Sequence, residues 1–201
     1  MERTERKCSV LIAAASEKTA NQIRSVLPSS YGTVSIQTSM ARVKQTLSMD
    51  RYDLLLVHTP LPDEFGLQSV LDLAERFPSM GILLMVSKDT YEQTVYRTGD
   101  AGIMVLARPF SVQSFISSVQ ILQSLLKRIR RLTEENEKLR KKLEDERYIS
   151  RAKALLIERQ GITEGEAHKY IEQEAMNHSI TRREVALHVI REAGRIVMIK
   201  Y

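Results

Sequence analysis

Residues 147–190 read RYISRAKALLIERQGITEGEAHKYIEQEAMNHSITRREVALHVI, and three helices can be read along them. Ile149, Ala152, Leu155 and Leu156 recur at helical spacing and stop before Gly161, a residue suited to the left-handed conformation that closes a helix. Thr163-Glu164-Gly165-Glu166 and Thr181-Arg182-Arg183-Glu184 each place a glutamate three residues after a threonine, the spacing of a capping box, so two further helices are expected to begin near residues 164 and 182. Ala167, Tyr170, Ile171, Ala175 and Met176 would face the first stripe, and Val185, Ala186, Val189 and Ile190 would complete the core. The pattern predicts an all-α three-helix bundle over 147–201, with RIVMIKY at 195–201 extending or covering its last helix.

Upstream of this bundle there is no Pro or Gly from Ser111 to Gly161, so a single helix can enter it without a break. Within that helix Leu122, Leu125, Ile129, Leu132, Asn136, Leu139 and Leu143 follow the 3-4 spacing of a and d positions. The stripe is narrow and flanked by charge, which predicts a coiled-coil dimerisation helix over 116–146 rather than a face packed on a globular core. Asn136 falls at an a position, where a polar side chain fixes the register of two parallel strands. Glu135 and Arg140 make an attractive g–e′ pair, whereas Lys142 and Arg147 do not.

Further upstream, short apolar runs at 10–14, 34–37, 54–57, 82–86 and 103–107 alternate with amphipathic segments, and Ser16, Ser39, Thr90 and Ser111 offer hydroxyls as helix caps. This alternation predicts a parallel sheet covered by helices on both faces, an α/β flavodoxin-like (βα)5 domain over 1–115. YDLLLVHTPLPDEFG at 52–66, LLMVS at 83–87 and ARPF at 107–110 resemble a two-component receiver domain. The resemblance implies an Asp at the end of the third strand that takes a phosphoryl group, an acidic pair after the first strand that holds Mg²⁺, and a Lys before a Pro whose peptide bond is usually cis.

The chain departs from that set at each place. His58 stands where the Asp would be, Ala13, Ala14 and Ala15 replace the acidic pair, and Arg108 replaces the Lys; Ser87 alone keeps its hydroxyl type. Three alanines supply none of the hard oxygen ligands that Mg²⁺ needs to neutralise a transferring phosphoryl group, so aspartyl phosphorylation is not expected. Two readings of His58 stay open, a strand-end histidine satisfied by its neighbours and a phosphohistidine. Asp53 precedes the third strand and lies at its opposite end, while Asp63 and Glu64 are expected in a solvated loop. The domain reads as a pseudo-receiver whose input, if it has one, is an unknown protein, a small molecule or a dimer contact.

Charge is unevenly placed. Residues 1–115 hold 12 Lys/Arg and 12 Asp/Glu, and residues 116–201 hold 18 and 13, so the whole +5 excess lies in the C-terminal part. That asymmetry points to an anionic partner. The succession Ala152-Lys153, Gly161-Ile162, Glu166-Ala167, Tyr170, Met176, Val185-Ala186 and Val189-Ile190 resembles the ANTAR domain of bacterial transcription antitermination regulators. The resemblance implies binding to paired RNA hairpins in nascent transcripts, which blocks an overlapping terminator. Arg147 and Arg151 lie one turn apart on one face, and Lys153, Arg159, Lys169, Arg182 and Arg183 add charge that can meet phosphate. Tyr148, Tyr170 and His178 are candidates to stack on unpaired bases, with Tyr170 also readable as core.

Other classes are weighed against this reading. A DNA-binding transcription factor of helix-turn-helix type is the alternative, disfavoured by Glu164, Glu166, Glu172 and Glu174 on the middle helix. A signalling adaptor that uses the coil and bundle for protein contacts is the third. There is no phosphate loop, clustered acid-base set or metal constellation, so no enzyme, cofactor or metal site is expected. The lone Cys8 has no disulfide or zinc partner, and no apolar run or leader points to membrane or export, so the cytoplasm is the expected location.

Overall fold

The computed structural model describes residues 7–198, the last five of them, 194–198, by backbone only. The chain divides into two compact units, Met1–Arg131 and Leu132–Tyr201. In the first, β1 (Val10–Ala14), α1 (Glu17–Val26), β2 (Val34–Gln37), α2 (Met40–Met49), β3 (Leu54–His58), α3 (Leu67–Arg76), β4 (Gly81–Ser87), α4 (Lys88–Thr98) and β5 (Met104–Arg108) alternate before α5 (Val112–Gln160) begins. The five strands are parallel in the order β2-β1-β3-β4-β5. This is the flavodoxin-like topology, with its reversal of strand order between β1 and β3.

Burial explains why the strands read as apolar runs. The central strands β1, β3 and β4 are buried along their length except at the C-terminal residues His58 and Ser87, so both faces demand apolar side chains; β2 and β5, at the edges, are half-buried. On one face Leu11, Leu55, Val57, Ile82 and Leu84 pack with Met40 and Val43 of α2 and Val70 and Leu73 of α3. On the other, Val10, Ile12, Leu54, Leu56, Leu83 and Met85 pack with Ala20 and Ile23 of α1 and with Phe115, Val119, Leu122 and Leu126 of α5.

That last contact corrects the sequence reading of the connector. The receiver does not end at residue 115, because α5 buries about three further turns on the sheet, and Leu122, expected in the dimer seam, is 5% exposed inside this core. Gly81 makes room for it: a Cβ there would lie 2.9 Å from Leu122 Cγ and 2.6 Å from Leu126 Cδ1. The remaining seam residues Leu125, Ile129, Leu132, Leu139 and Leu143 stay between 48% and 67% exposed, as a stripe without an intramolecular core would be.

One local expectation also changes, and another is extended. Ser16, Ser39 and Ser111 cap their helices, accepting from the N–H groups of Thr19, Arg42 and Ser114. Thr90, however, lies inside α4, which follows β4 directly; Ser87 is its N-cap, and the Thr90 hydroxyl bonds back to Ser87. Asp63 does lie in an exposed loop, where it is also engaged. Its two carboxylate oxygens accept the N–H groups of Met40 at 3.0 Å and Ala41 at 2.9 Å, closing the N-terminus of α2. The Arg108-Pro109 bond is cis, as the receiver resemblance implies, and Thr59-Pro60 is cis as well.

The second unit holds the rest of α5 with α6 (Glu164–Asn177) and α7 (Arg182–Met198). Both capping boxes form: Thr163 exchanges bonds with Glu166, and Thr181 with Glu184. Gly161 adopts φ +67°, the left-handed turn that releases the chain from α5. Ile149, Ala152, Leu156, Ala167, Ile171, Val185 and Ala186 form the core. Met176, expected in it, is 80% exposed, and Tyr170 is 39% exposed. Of the tail 195–201, α7 takes in the backbone as far as Met198, and the rest lies outside the described residues.

At the N-terminal edge of the sheet, Asp53 accepts bonds from the Ser9 N–H at 2.7 Å, the Ser9 hydroxyl at 3.0 Å and the Arg130 guanidinium at 2.6 Å, tying α5 to the start of β3. Burial pushes the Asp53 carboxyl up, but the Ser9 and Arg130 donors outweigh it and hold the group below its ordinary value. A depressed carboxylate stabilises the fold above its unfolded pKa and loses that contribution as pH falls through the folded one. Asp53→Asn should therefore cost about 1–2 kcal/mol at neutral pH. Urea unfolding at neutral and at strongly acidic pH checks this: the gap between variant and wild type should close in acid, and a pH-independent gap would assign the loss to packing instead.

Candidate nucleic-acid interface and the receiver pocket

The helical bundle sorts its basic side chains into two groups. Arg183, half-buried at the start of α7, lies 3.1 Å from Asp145 and 3.6 Å from Glu144 on α5, and its guanidinium covers the Tyr148 ring at 5.3 Å from the centroid. The contact with Asp145 Oδ1 is ionic rather than a directed hydrogen bond, since that oxygen has no partner of hydrogen-bonding geometry. Lys153 pairs with Glu164 at 3.0 Å, Arg182 with Glu172 at 3.4 Å, and Arg159 donates to the Ala193 carbonyl at 2.6 Å. These four hold the bundle's helices to one another.

Arg147, Arg151 and Lys169 form the second group. All three are exposed and make no ion pair or hydrogen bond among the described residues. Arg147 and Arg151, one turn apart on α5, turn away from Ile149, Ala152 and Leu156, which are buried in the core. His178, the C-cap residue of α6, lies against the Glu174 carbonyl and carboxylate. Tyr148 is not an available stacking platform, being half-buried against the core beneath Arg183. Tyr170 keeps an exposed ring edge, and Met176 and Ile180 add exposed apolar surface at the C-terminal end of α6 that sequence periodicity assigned to the interior or passed over.

At the C-terminal edge of the sheet, Ala13 and Ala14 are fully buried apolar residues, His58 is half-buried at the end of β3, and Ser87 pairs in register with Arg108 across β4 and β5. The Arg108 guanidinium reaches across the strand ends to donate to the Thr59 carbonyl. Burial first, and then the Arg108 charge, make His58 harder to protonate than a free histidine. Its Nδ1 is buried without a hydrogen-bond partner among the described residues, as is the Nε of Arg108. Phosphorylated receivers use Mg²⁺, but this donor set does not fit it: alanines occupy the acidic positions, and Asp63 is committed to α2. Among the described residues no three His, Cys, Asp or Glu side chains cluster as metal ligands, and no helix is long and apolar enough to cross a membrane.

The first unit is thus a receiver-type fold without the receiver's phosphorylation set, and solved structures agree on the fold. The signal receiver domain of an HD-domain-containing protein from Pseudomonas fluorescens superposes with a TM-score of 0.57 at 18% identity, over 65% of this chain and 97% of that one. A CheY-like receiver domain protein from Methanospirillum hungatei gives 0.55 at 14% identity, over 61% and 98%. The second unit belongs to a narrower class: the ANTAR domain family matches residues 137–190. Over 143 residues the chain is 29% identical to the transcriptional regulatory protein PdtaR of Mycobacterium tuberculosis, spanning 71% of this chain and 69% of that protein. Over 88 residues it is 30% identical to the aliphatic amidase regulator of Pseudomonas aeruginosa, 44% of this chain and 43% of that one. Residues 137–190 are thus an ANTAR domain, and they follow a unit with the receiver-type fold.

The division of the basic residues is checked by stability. Arg183→Ala should lower the unfolding free energy by about 1 kcal/mol, the scale of a partly exposed ion pair with a cation–π contact. Arg151→Ala should leave it within about 0.5 kcal/mol. Circular dichroism with urea reads both, and equal losses would mean that Arg151 is also structural.

Proposed function

We propose that the protein binds hairpins of nascent mRNA as a dimer and acts as a transcription antitermination regulator in the cytoplasm, with a receiver that is not phosphorylated. The observation that carries this reading is the pair Arg147 and Arg151 on the first helix of an ANTAR domain, exposed and without a protein counter-charge among the described residues. Phosphate is their natural partner, because neutralising it releases condensed counterions. Lys169 lies on α6, and Tyr170 beside it has an exposed ring edge suited to an unpaired base. Lys153, Arg159, Arg182 and Arg183 act chiefly by holding the helices that carry this surface, and His178 closes the end of α6. The regulated transcript is read through loops rather than duplex, since Glu164, Glu166, Glu172 and Glu174 on α6 repel the backbone lining a major groove.

Two copies are joined through α5. Leu125, Ile129, Leu132, Leu139 and Leu143 are large, half or more exposed and evenly spaced, and each contributes about 1.5–3 kcal/mol when fully buried. Asn136 sits among them at an a position and pairs with its own copy, which favours two strands in register. A dimer presents two ANTAR domains to two hairpins on one transcript, so the second contact forms at high effective concentration.

A leader RNA with two hairpins, titrated at several salt concentrations, tests the RNA surface. Arg147→Ala with Arg151→Ala should weaken binding by about 1–3 kcal/mol for each base-reading contact, or reduce the salt slope by about one per phosphate contact, with unchanged circular dichroism. Unaltered affinity moves the surface elsewhere, and equal affinity for duplex DNA favours a DNA-binding factor. Sedimentation at about micromolar concentration, where an affinity of this class holds a dimer together, should show a dimer. Leu132→Asp with Leu139→Asp should convert it to monomer and weaken RNA binding together, whereas a monomeric wild type removes the coil.

A further inference from the structure

The pocket at the C-terminal edge of the first unit's sheet holds a cation that the protein itself does not neutralise. Arg108 has one acceptor, the Thr59 carbonyl, and no carboxylate partner among the described residues. Its Nε and the Nδ1 of His58 are both buried without partners. Arg108 is itself only partly buried, so what stands out is a guanidinium facing solvent without a counter-charge, with one of its nitrogens and a neighbouring histidine nitrogen unmet by the protein. On the neighbouring strand β1, Ala14 lies in register with His58 and offers only a methyl group.

The surroundings say what kind of group would relieve this. Beside Arg108 lies an open depression of about 480 Å³ lined by Ser87, Arg108, Pro109 and Phe110. It offers a planar fork of donors, a hydroxyl shared with Thr90 and an aromatic wall fixed by stacking of Phe110 on Phe115 at 5.7 Å between centroids. A guanidinium fork matches the spacing of two oxygens on one carboxylate or phosphate, and an apolar ligand body can lie on the ring. The site lies at the carboxyl ends of the strands, where open α/β sheets receive their ligands.

We infer that Arg108 and Ser87 form a reversible binding site for the oxyanion group of a small molecule, a carboxylate or a phosphate, whose body rests on Phe110, with the nearby His58 ring as its reporter. Occupancy replaces covalent phosphorylation as the event this pocket can register. The inference rests on the reading of the receiver as unphosphorylated and is independent of RNA binding.

The test uses the full-length protein, inorganic phosphate and benzoate as probes, and sodium chloride at matched ionic strength and pH as the control. Imidazole ¹⁵N signals are followed, with the His58 resonance assigned from His58→Gln. At least one probe should shift the His58 signal saturably, with a Kd on the order of 1 mM, while His168, His178 and His188 stay put. Saturation by phosphate alone or by benzoate alone tells the two sources apart, and either supports the site. Arg108→Gln should weaken binding at least tenfold, and Arg108→Lys should fall between, keeping the charge without the fork. Should Arg108→Gln fail to fold, the wild-type titration still decides. No saturable shift with either probe, uniform shifts of all four histidines, or undiminished binding by a folded Arg108→Gln would overturn the inference. Intact mass after incubation with a small phosphodonor and Mg²⁺ separates this outcome from failure of the underlying reading: a gain of one phosphoryl group would show that the receiver is covalently modified after all.

Discussion

A single unbroken helix constrains everything else in this protein. α5 runs for 49 residues and supplies Phe115, Val119, Leu122 and Leu126 to the core of the first unit and Ile149, Ala152 and Leu156 to the core of the second. Neither core is complete without it, and the absence of Pro and Gly along its length leaves it no cheap place to break. Between the cores the large apolar side chains Ile129, Leu132, Leu139 and Leu143 are half or more exposed, and isolated helix is marginal in water. Two features support it there. Glu134 with Lys138 and Glu137 with Lys141 are spaced as favourable i,i+4 pairs, each contributing a few tenths of a kcal/mol, with the glutamate on the N-terminal side. The exposed leucine stripe supplies the rest only when something covers it, which ties the integrity of the connector to association.

The strands, the two capping boxes and the left-handed Gly161 were legible because each depends on neighbours a few residues away. Leu122 was not, and the reason is instructive. Residues 115, 119, 122 and 126 carry the spacing of a helix face buried on a sheet, and 122, 125 and 129 carry that of a coiled-coil seam. Leu122 belongs to both series. Periodicity reports that a face is apolar, not what it meets; the deciding fact is Gly81, 41 positions upstream, where only a hydrogen leaves space for the leucine. Asp63 escaped for the same reason, since its partners are N–H groups on α2 that precede it by more than 20 residues.

The basic residues show how a charge count misleads at the level of a site. The sequence offers a run of arginines and lysines around the bundle, and only membership of the ANTAR-like motif sets Arg151 and Lys153 ahead of the others as phosphate contacts. Folding brings Glu144, Asp145, Glu164 and Glu172 against three of them, and those acids are spread along α5 and α6 at separations no local rule connects. A cation already facing a carboxylate must lose that partner before it can hold a phosphate, so its net gain on binding is small. Arg147 and Arg151 carry no such cost among the described residues, which is why they, rather than the more buried Lys153 of the motif, are the better candidates.

In the first unit, the strand ends keep a cation without the acids that the receiver resemblance sets beside it. Ala13 and Ala14 are buried and apolar, and Arg108 spans the strand ends to the Thr59 carbonyl. Such a pocket responds by mass action, stabilising the occupied form by about 2.7 kcal/mol when ligand stands at 100 times its Kd. Occupancy shifts a conformational equilibrium only if the ligand distinguishes two states. The aromatic wall provides a place for that distinction: Phe110 stacks on Phe115, and Phe115 is the first fully buried residue of α5. A ligand resting on Phe110 would therefore bear on the helix that contributes to the cores of both units.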